Sequence, residues 1–345
     1  MKVVRHTPEV CFVDPCAPRP YTTQASSLAG LGGTEMTLAA LAGELSRRVG
    51  VEVRQSARRG RIHESHVRFA PFDVNDRIAA PVIVVINSYK VALKLARTHP
   101  EARIFLWLHV VPGKHCRKMG RLLHDAGVTV VCVSQAHADI LRCYLHAPLP
   151  RLEVVYNMIP DMLRPDDTPR DLDRLFFASA PHKGLDQVYE AFAEMRRRIA
   201  TLTLCVADPG YLRWDSGRVP EGVTVLGRLD RQRVWHHMRR SLCLFYPQRR
   251  FAETFGIVLA EANAVGCPVL VQQGLGANDE VVSTADQCID STDMDLLEAR
   301  LRTWRETPPD ITGRRDFRLS MVTERWLSLL EAAGRAEPVR QVAEA

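Results

Sequence analysis

Two carboxylates, one ammonium group and one imidazole stand out by type and spacing. Glu253 and Glu261 are separated by seven residues within Phe-Ala-Glu-Thr-Phe-Gly-Ile-Val-Leu-Ala-Glu-Ala, which starts at Phe251. On a helix that step rises roughly 12 Å, too far for the pair to work as acid and base on one bond. A carboxylate accepts from two vicinal hydroxyls at once. The spacing therefore suits an elongated ligand with a diol at each end and an anion between, which is the shape of a nucleotide-sugar. Lys183, in Pro181-His182-Lys183-Gly184, offers a cation to such an anion, and it is one of only six lysines in an arginine-rich chain of 345 residues. His109 follows the apolar run Ile104–Leu108, and ligands of open α/β sheets sit beyond the carboxyl ends of strands. Each residue alone has a plainer reading: glutamates on a solvated helix face, a surface lysine, a structural histidine.

The flanking residues carry a resemblance. Glu-Thr-Phe-Gly-Ile-Val-Leu-Ala-Glu-Ala followed by Gly266-Cys267-Pro268-Val269 resembles the E-x7-E segment of family 4 (group 1) retaining glycosyltransferases. That family has the GT-B fold, α/β with two Rossmann-like doubly wound domains facing across a cleft. Gly32-Gly33-Thr34-Glu35 is similar to the family's G-G-x-E loop, and Lys183-Gly184 to its K-G-x-D loop. The resemblance implies that Glu253 contacts the donor sugar, Glu261 the ribose and Lys183 the diphosphate, with His109 near the reaction centre. It adds Gly32, Gly33, Thr254, Phe255, Gly256, Ile257 and Arg228 as donor-binding positions. Two departures are visible. The family's loop arginine falls on Ala178 or Ser179, leaving Lys183 to act with the helix start near Gly256 and with Arg249 or Arg250. The Pro and Gly of its interdomain segment fall on Tyr156 and Met158.

The implied chemistry is transfer of a sugar from a UDP-, GDP- or ADP-sugar to a hydroxyl acceptor. It proceeds with retention and without a metal or other cofactor, in bacterial polysaccharide, lipopolysaccharide or glycoconjugate synthesis. Two other classes stay open: a nucleotide-sugar epimerase or hydrolase, and a non-catalytic nucleotide-sugar-binding protein, which the missing arginine favours.

Strand-like and helix-like runs alternate along the chain, as in doubly wound sheets. The first half reads as Val10–Val13, a Gly-rich loop, a helix from Thr34 to Gly50, and strands at Val51–Val53, Val82–Ile86, Ile104–Leu108, Val128–Val133 and Leu152–Val155. Ser134 is a good N-cap for a helix over Gln135–Leu145. Pro165–Pro169 has the composition of a linker. The expected division is residues 1–165 for an acceptor-side domain and 166–312 for a nucleotide-sugar domain. A terminal helix over 313–333 crosses back to the first domain, and 334–345 form a tail.

Composition bounds the rest. Apolar runs are far shorter than a membrane span, and the N-terminus lacks a leader's apolar core, so a cytoplasmic protein is expected. Nine cysteines without C-x2-C spacing point to reduced thiols rather than zinc or disulfides. Residues 1–165 hold 22 Lys+Arg against 13 Asp+Glu, while the remainder holds 24 against 27. A basic first half implies an anionic partner: a phosphorylated or lipid-linked acceptor, or peripheral contact with the inner face of a membrane. Arg47, Arg48, Arg54, Arg58, Arg59 and Arg61 form the densest cluster. No motif of nucleic-acid recognition is present.

Overall fold

The structure, a computed structural model, describes residues 8–208 and 219–335. Residues 1–7 lie outside them, as does the expected tail 334–345 from residue 336 onward. The chain divides into two compact units, one running to Asn157 and resuming at Leu319, the other Met158–Arg318.

In the first unit, mostly buried apolar runs form β1 (Val10–Asp14), β2 (Val51–Gln55), β4 (Val67–Pro71), β5 (Val82–Ile86), β6 (Arg103–Leu108) and β7 (Thr129–Cys132), joined by the largely exposed β3 (Ile62–Glu64) and the half-buried β8 (Leu152–Val154). They make one eight-stranded sheet in the order β3-β4-β2-β1-β5-β6-β7-β8. All pairings are parallel except β3 with β4. The order reverses direction between β2-β1 and β5-β6, so the switch point lies beyond β1 and β5. The helices are α1 (Ala25–Leu28), α2 (Gly33–Leu45), α3 (Tyr89–Thr98), α4 (Met119–Asp125) and α5 (Gln135–Tyr144). Ser134 caps α5 as expected, its hydroxyl accepting from the His137 N–H at 2.9 Å.

The second unit contains β9 (Asp171–Ala178), β10 (Thr203–Asp208), β11 (Val223–Arg228), β12 (Ser241–Tyr246), β13 (Val269–Gln272) and β14 (Cys288–Ile289). Their order is β11-β10-β9-β12-β13-β14, all parallel. Counted from β9 this is the 3-2-1-4-5-6 arrangement of dinucleotide-binding sheets, with its switch point between β9 and β12. The helices are α6 (Leu185–Arg198), α7 (Arg231–Arg239), α8 (Ile257–Ala264), α9 (Asn278–Val281) and α10 (Met294–Glu306).

The terminal helix α11 (Leu319–Arg335) returns to the first unit, where Trp326 packs against Trp107 and Phe12 at ring distances of 4.8 and 6.1 Å. The change-overs fall at 157/158 and 318/319 rather than at 165 and 312. The reason is hydrogen bonding. The Ile159 N–H donates to the Phe317 carbonyl at 2.9 Å, and the Arg318 guanidinium donates to the carbonyls of Pro160 and Leu163 at 3.1 and 2.5 Å. The proline-rich stretch read as a linker is thereby tied into the second unit.

Candidate active site

The site is built where β9 and β12 end. Ala178 leads through a single 3-10 turn, Pro181–Lys183, into α6, and Tyr246 leads into the loop that carries Glu253. Lys183 Nζ donates to both oxygens of Glu253, at 2.8 and 3.0 Å, and the Tyr246 hydroxyl donates to Oε1 at 3.0 Å. Glu253 is 6% exposed, so its carboxylate is held by charge-assisted bonds in a largely dry setting. Lys183 also lies over the Phe251 ring, 4.6 Å from its centroid, a cation–π contact that orients the ammonium.

Two glycines make this approach feasible. Gly184 has φ 89°, and a Cβ there would stand 2.6 Å from the Gln248 Cβ. Gly276 has φ 59°, and a Cβ would stand 2.5 Å from the Glu253 carbonyl oxygen. The Ala277 N–H meets that same oxygen at 2.9 Å. Gln248, fully buried, donates to the Phe251 carbonyl at 2.8 Å and accepts from the Arg250 and Phe251 N–H groups at 2.9 and 2.7 Å. The Glu253 loop is thus fixed from both sides.

Glu253 does not lie on the helix. It sits in the loop ahead of α8, and Gly256, at φ 84° and ψ 62°, separates it from the helix start at Ile257. The expected helical step between the two glutamates therefore does not apply. Glu261 is inside α8 and is also 6% exposed. Its counter-ion is Arg231, the first residue of α7, which makes an ion pair with Oε1 and lies over Trp235 at 5.3 Å. The helix itself is buried from Leu259 to Ala264, as its small apolar residues on all sides require.

The other expected positions divide. Thr254 and Ile257 are half-buried beside Glu253 and the start of α8. Phe255 turns its ring into the core, 1% exposed and edge-on to Phe317 at 5.0 Å, so its side chain is not open to a ligand. Arg228 ends the edge strand β11 and is exposed; Arg231, three residues on, is the one that meets a glutamate. The Arg250 guanidinium pairs with Asp186 on α6 at 2.8 Å, and the Arg249 N–H is held by Gln187 Oε1, also at 2.8 Å.

Gly32, Gly33 and His109 belong to the first unit. Gly32 caps α2, and Glu35, three residues later, folds back so that its carboxylate accepts from the Gly32 N–H. This is the reciprocal half of a capping box. Burial raises the Glu35 carboxyl above its ordinary value, with the nearby Asp14 charge adding to the shift. His109 is buried against the Trp107 ring at 4.5 Å, and its N–H donates to Asn87 Oδ1 at 2.7 Å. Burial, with His137 nearby, pushes the imidazole down to about 3, so it is neutral at ordinary pH. Sequence reasoning missed Tyr246, Gln248, Arg231 and Asn87. The position of Tyr246 at the end of a strand was the only signal among them.

Residues 176–317 match the model of glycosyl transferases group 1. Over this stretch the chain is similar to that family. No curated protein matches the chain in sequence. Among solved structures it is similar to Anabaena HepE in complex with UDP-glucose, with 15% identity, a TM-score of 0.66, and 94% of this chain and 99% of that one covered. It is also similar to the lipopolysaccharide outer core galactosyltransferase WaaB, with 11% identity and a TM-score of 0.61, covering 94% and 99%. A third likeness is to the pneumococcal O-GlcNAc transferase GtfA in complex with UDP and GlcNAc, at 13% identity and a TM-score of 0.52. That match covers 74% of this chain but only 57% of GtfA. These likenesses concern the fold, and the two largely parallel α/β sheets are those of the GT-B class.

Proposed function

We propose that the protein is a retaining, metal-independent glycosyltransferase of family 4. It would move a hexose from a UDP-, GDP- or ADP-sugar to a hydroxyl acceptor in the synthesis of a bacterial polysaccharide, lipopolysaccharide or other glycoconjugate. The observation that carries this reading is the Glu253 carboxylate, held by both Lys183 and Tyr246 at the switch point of a 3-2-1-4-5-6 sheet. On this reading, the donor diphosphate takes over the Lys183 ammonium, and the freed Glu253 oxygens accept from the sugar hydroxyls. Glu261, oriented by Arg231, receives the ribose diol.

The barrier is departure of the diphosphate from an oxocarbenium-like carbon. The protein lowers it by meeting the growing phosphate charge with Lys183 and with the N–H groups that open α8. The acceptor hydroxyl adds to the anomeric carbon on the face the diphosphate leaves, so that the C–O bond to phosphate breaks as the new C–O bond forms and the hydroxyl proton passes to the departing phosphate oxygen. Cytoplasmic residence, with an anionic or lipid-linked acceptor and peripheral contact with the membrane's inner face, fits the basic first half. No helix of the described residues is long and apolar enough to cross a membrane.

The test is turnover of radiolabelled UDP-, GDP- and ADP-sugars with and without EDTA. Lys183→Ala and Glu253→Gln are expected to lower kcat by about 10²-fold or more, and Arg231→Met to raise the donor KM. Wild-type turnover in either of the first two variants would remove that residue's role. Label released to water would instead favour a hydrolase. Calorimetric nucleotide binding with no turnover would favour the non-catalytic protein to which the absent loop arginine points.

A further inference from the structure

The excess positive charge lies in the first half of the chain, but the cluster that is densest in sequence is consumed within the first unit. Arg58 is buried, donating to the Tyr21 carbonyl at 2.7 Å and to Gln55 Oε1 at 2.9 Å. Arg54 pairs with Glu52, Arg47 with Glu44 at 2.8 Å, and Arg48 with Glu324 at 2.5 Å. Of the six arginines only Arg59 and Arg61 remain exposed without an ion pair among the described residues.

A second basic segment follows β6 directly. Lys114, Arg117, Lys118 and Arg121 are all exposed. Among the described residues no carboxylate lies within ion-pair range of the first three. Arg121 faces Asp125 at 3.7 Å, a carboxylate it shares with His124 at 3.1 Å. Arg117 keeps its guanidinium 5.1 Å from the Tyr144 ring centroid. Three aliphatic side chains flank these cations in sequence and are left in water: Val110, Val111 and Leu122, 49, 37 and 48% exposed. The segment is nonetheless anchored. Cys116, Met119 and Leu123 enter the core, and a Cβ at Gly120 would stand 2.7 Å from the His146 carbonyl oxygen. With Met119, Gly120 and Leu123 facing inward, Lys118, Arg121 and Leu122 share the outward side of α4.

We infer that residues 110–122 are a docking surface for an anionic lipid bilayer. Cations alone would suit any polyanion, and the aliphatic groups make the distinction. A soluble polyanion gives them nothing to pack against, and the segment contains no Phe, Tyr or Trp ring for a nucleic-acid base to stack on. At a bilayer surface both parts find partners. Aliphatic groups enter the headgroup–acyl boundary while the cations meet anionic headgroups, each adding roughly fivefold to partitioning. The segment begins at the residue after His109, at the ligand-bearing edge of the first sheet. It therefore specifies the acceptor class as lipid-linked, a step that rests on the glycosyl-transfer reading, whereas the docking itself does not.

The experiment is vesicle flotation of the full chain, with a nucleotide thermal-shift assay run on every variant. Wild type is expected to float with phosphatidylglycerol-rich vesicles and to stay behind with pure phosphatidylcholine. The variant K114Q/K118Q/R121Q should partition about 100-fold less. The variant V110S/V111S/L122S should also float less while its retention on heparin is unchanged. R59Q/R61Q should float like wild type. The docking surface is overturned if wild type does not float with anionic vesicles, or if K114Q/K118Q/R121Q floats as well as wild type. It is equally overturned if V110S/V111S/L122S floats as wild type, which would mark a surface for soluble polyanions. A chain that floats as described yet shows no shift with any nucleotide keeps the docking surface and loses the donor reading.

Discussion

Glu253 and His109 have opposite electrostatic situations in comparably dry places. Glu253 keeps a cation and a hydroxyl on its carboxylate, acceptor positions that a ligand's hydroxyls can take over. His109 has an aromatic neighbour and a second histidine nearby, and burial holds it neutral. His137, also buried, is pushed down to about 4 by burial. The unfolded chain protonates both histidines below about 6.5, whereas the folded chain resists until near their lowered values. The unfolded state then binds more protons, so stability is fully present above about 6.5 and drains as the pH falls toward 4. Each histidine contributes about 2 kcal/mol of loss between pH 6.5 and 5. Urea midpoints at the two pH values check this, and His109→Gln and His137→Gln should each flatten the dependence. An unchanged slope in both variants would contradict it. The residue types at the site were legible because Glu, Lys and Gly at these spacings form a motif. Arg231 on Glu261 was not legible, since an arginine at the start of α7 announces nothing about a residue thirty positions later.

Among the elements, periodicity located the parallel strands well because buried strands in a doubly wound sheet are continuous apolar runs. It missed β3 and β4. Their hairpin turns through Ser65 and His66 at φ 47° and 67°, where the usual Asn-Gly or Asp-Gly cue is absent, and β3 is largely exposed. It also carried the helix back through Glu253, because the left-handed turn at Gly256 is not written in an apolar pattern. The loop–helix junction is the element on which the proposed donor binding depends. Gly276→Ala would drive a methyl group onto the Glu253 backbone and force φ out of the left-handed region. The expected result is a loss of about 1–3 kcal/mol in stability together with at least tenfold weaker donor binding. Gly274→Ala, also at positive φ but with open space around its Cβ, separates the steric effect from backbone strain. If both variants bound donor equally, crowding at Glu253 would not be the cause.

At the scale of the molecule, the chain leaves the first unit at Asn157 and re-enters it at Leu319, so that unit's core is completed by its last helix. Trp326 is fully buried between Trp107 and Phe12. Trp326→Ala should cost about 3–5 kcal/mol, read by calorimetry as a lowered transition that UDP does not restore. A transition left unmoved would mean that α11 is not part of that core. By itself the sequence determined the alternating α/β order, the two-sheet class, the choice of Lys183 and Glu253 as separate candidates, and the excess of positive charge. These are local or compositional properties, set by periodicity and by residue type. Only the tertiary structure decided which cations are spent in ion pairs, which side of Gly256 the carboxylate occupies, and where the proline-rich stretch belongs. Those depend on partners distant in sequence, such as Glu324 for Arg48 and Phe317 for Ile159, and burial and hydrogen bonding between remote segments have no expression in a local pattern.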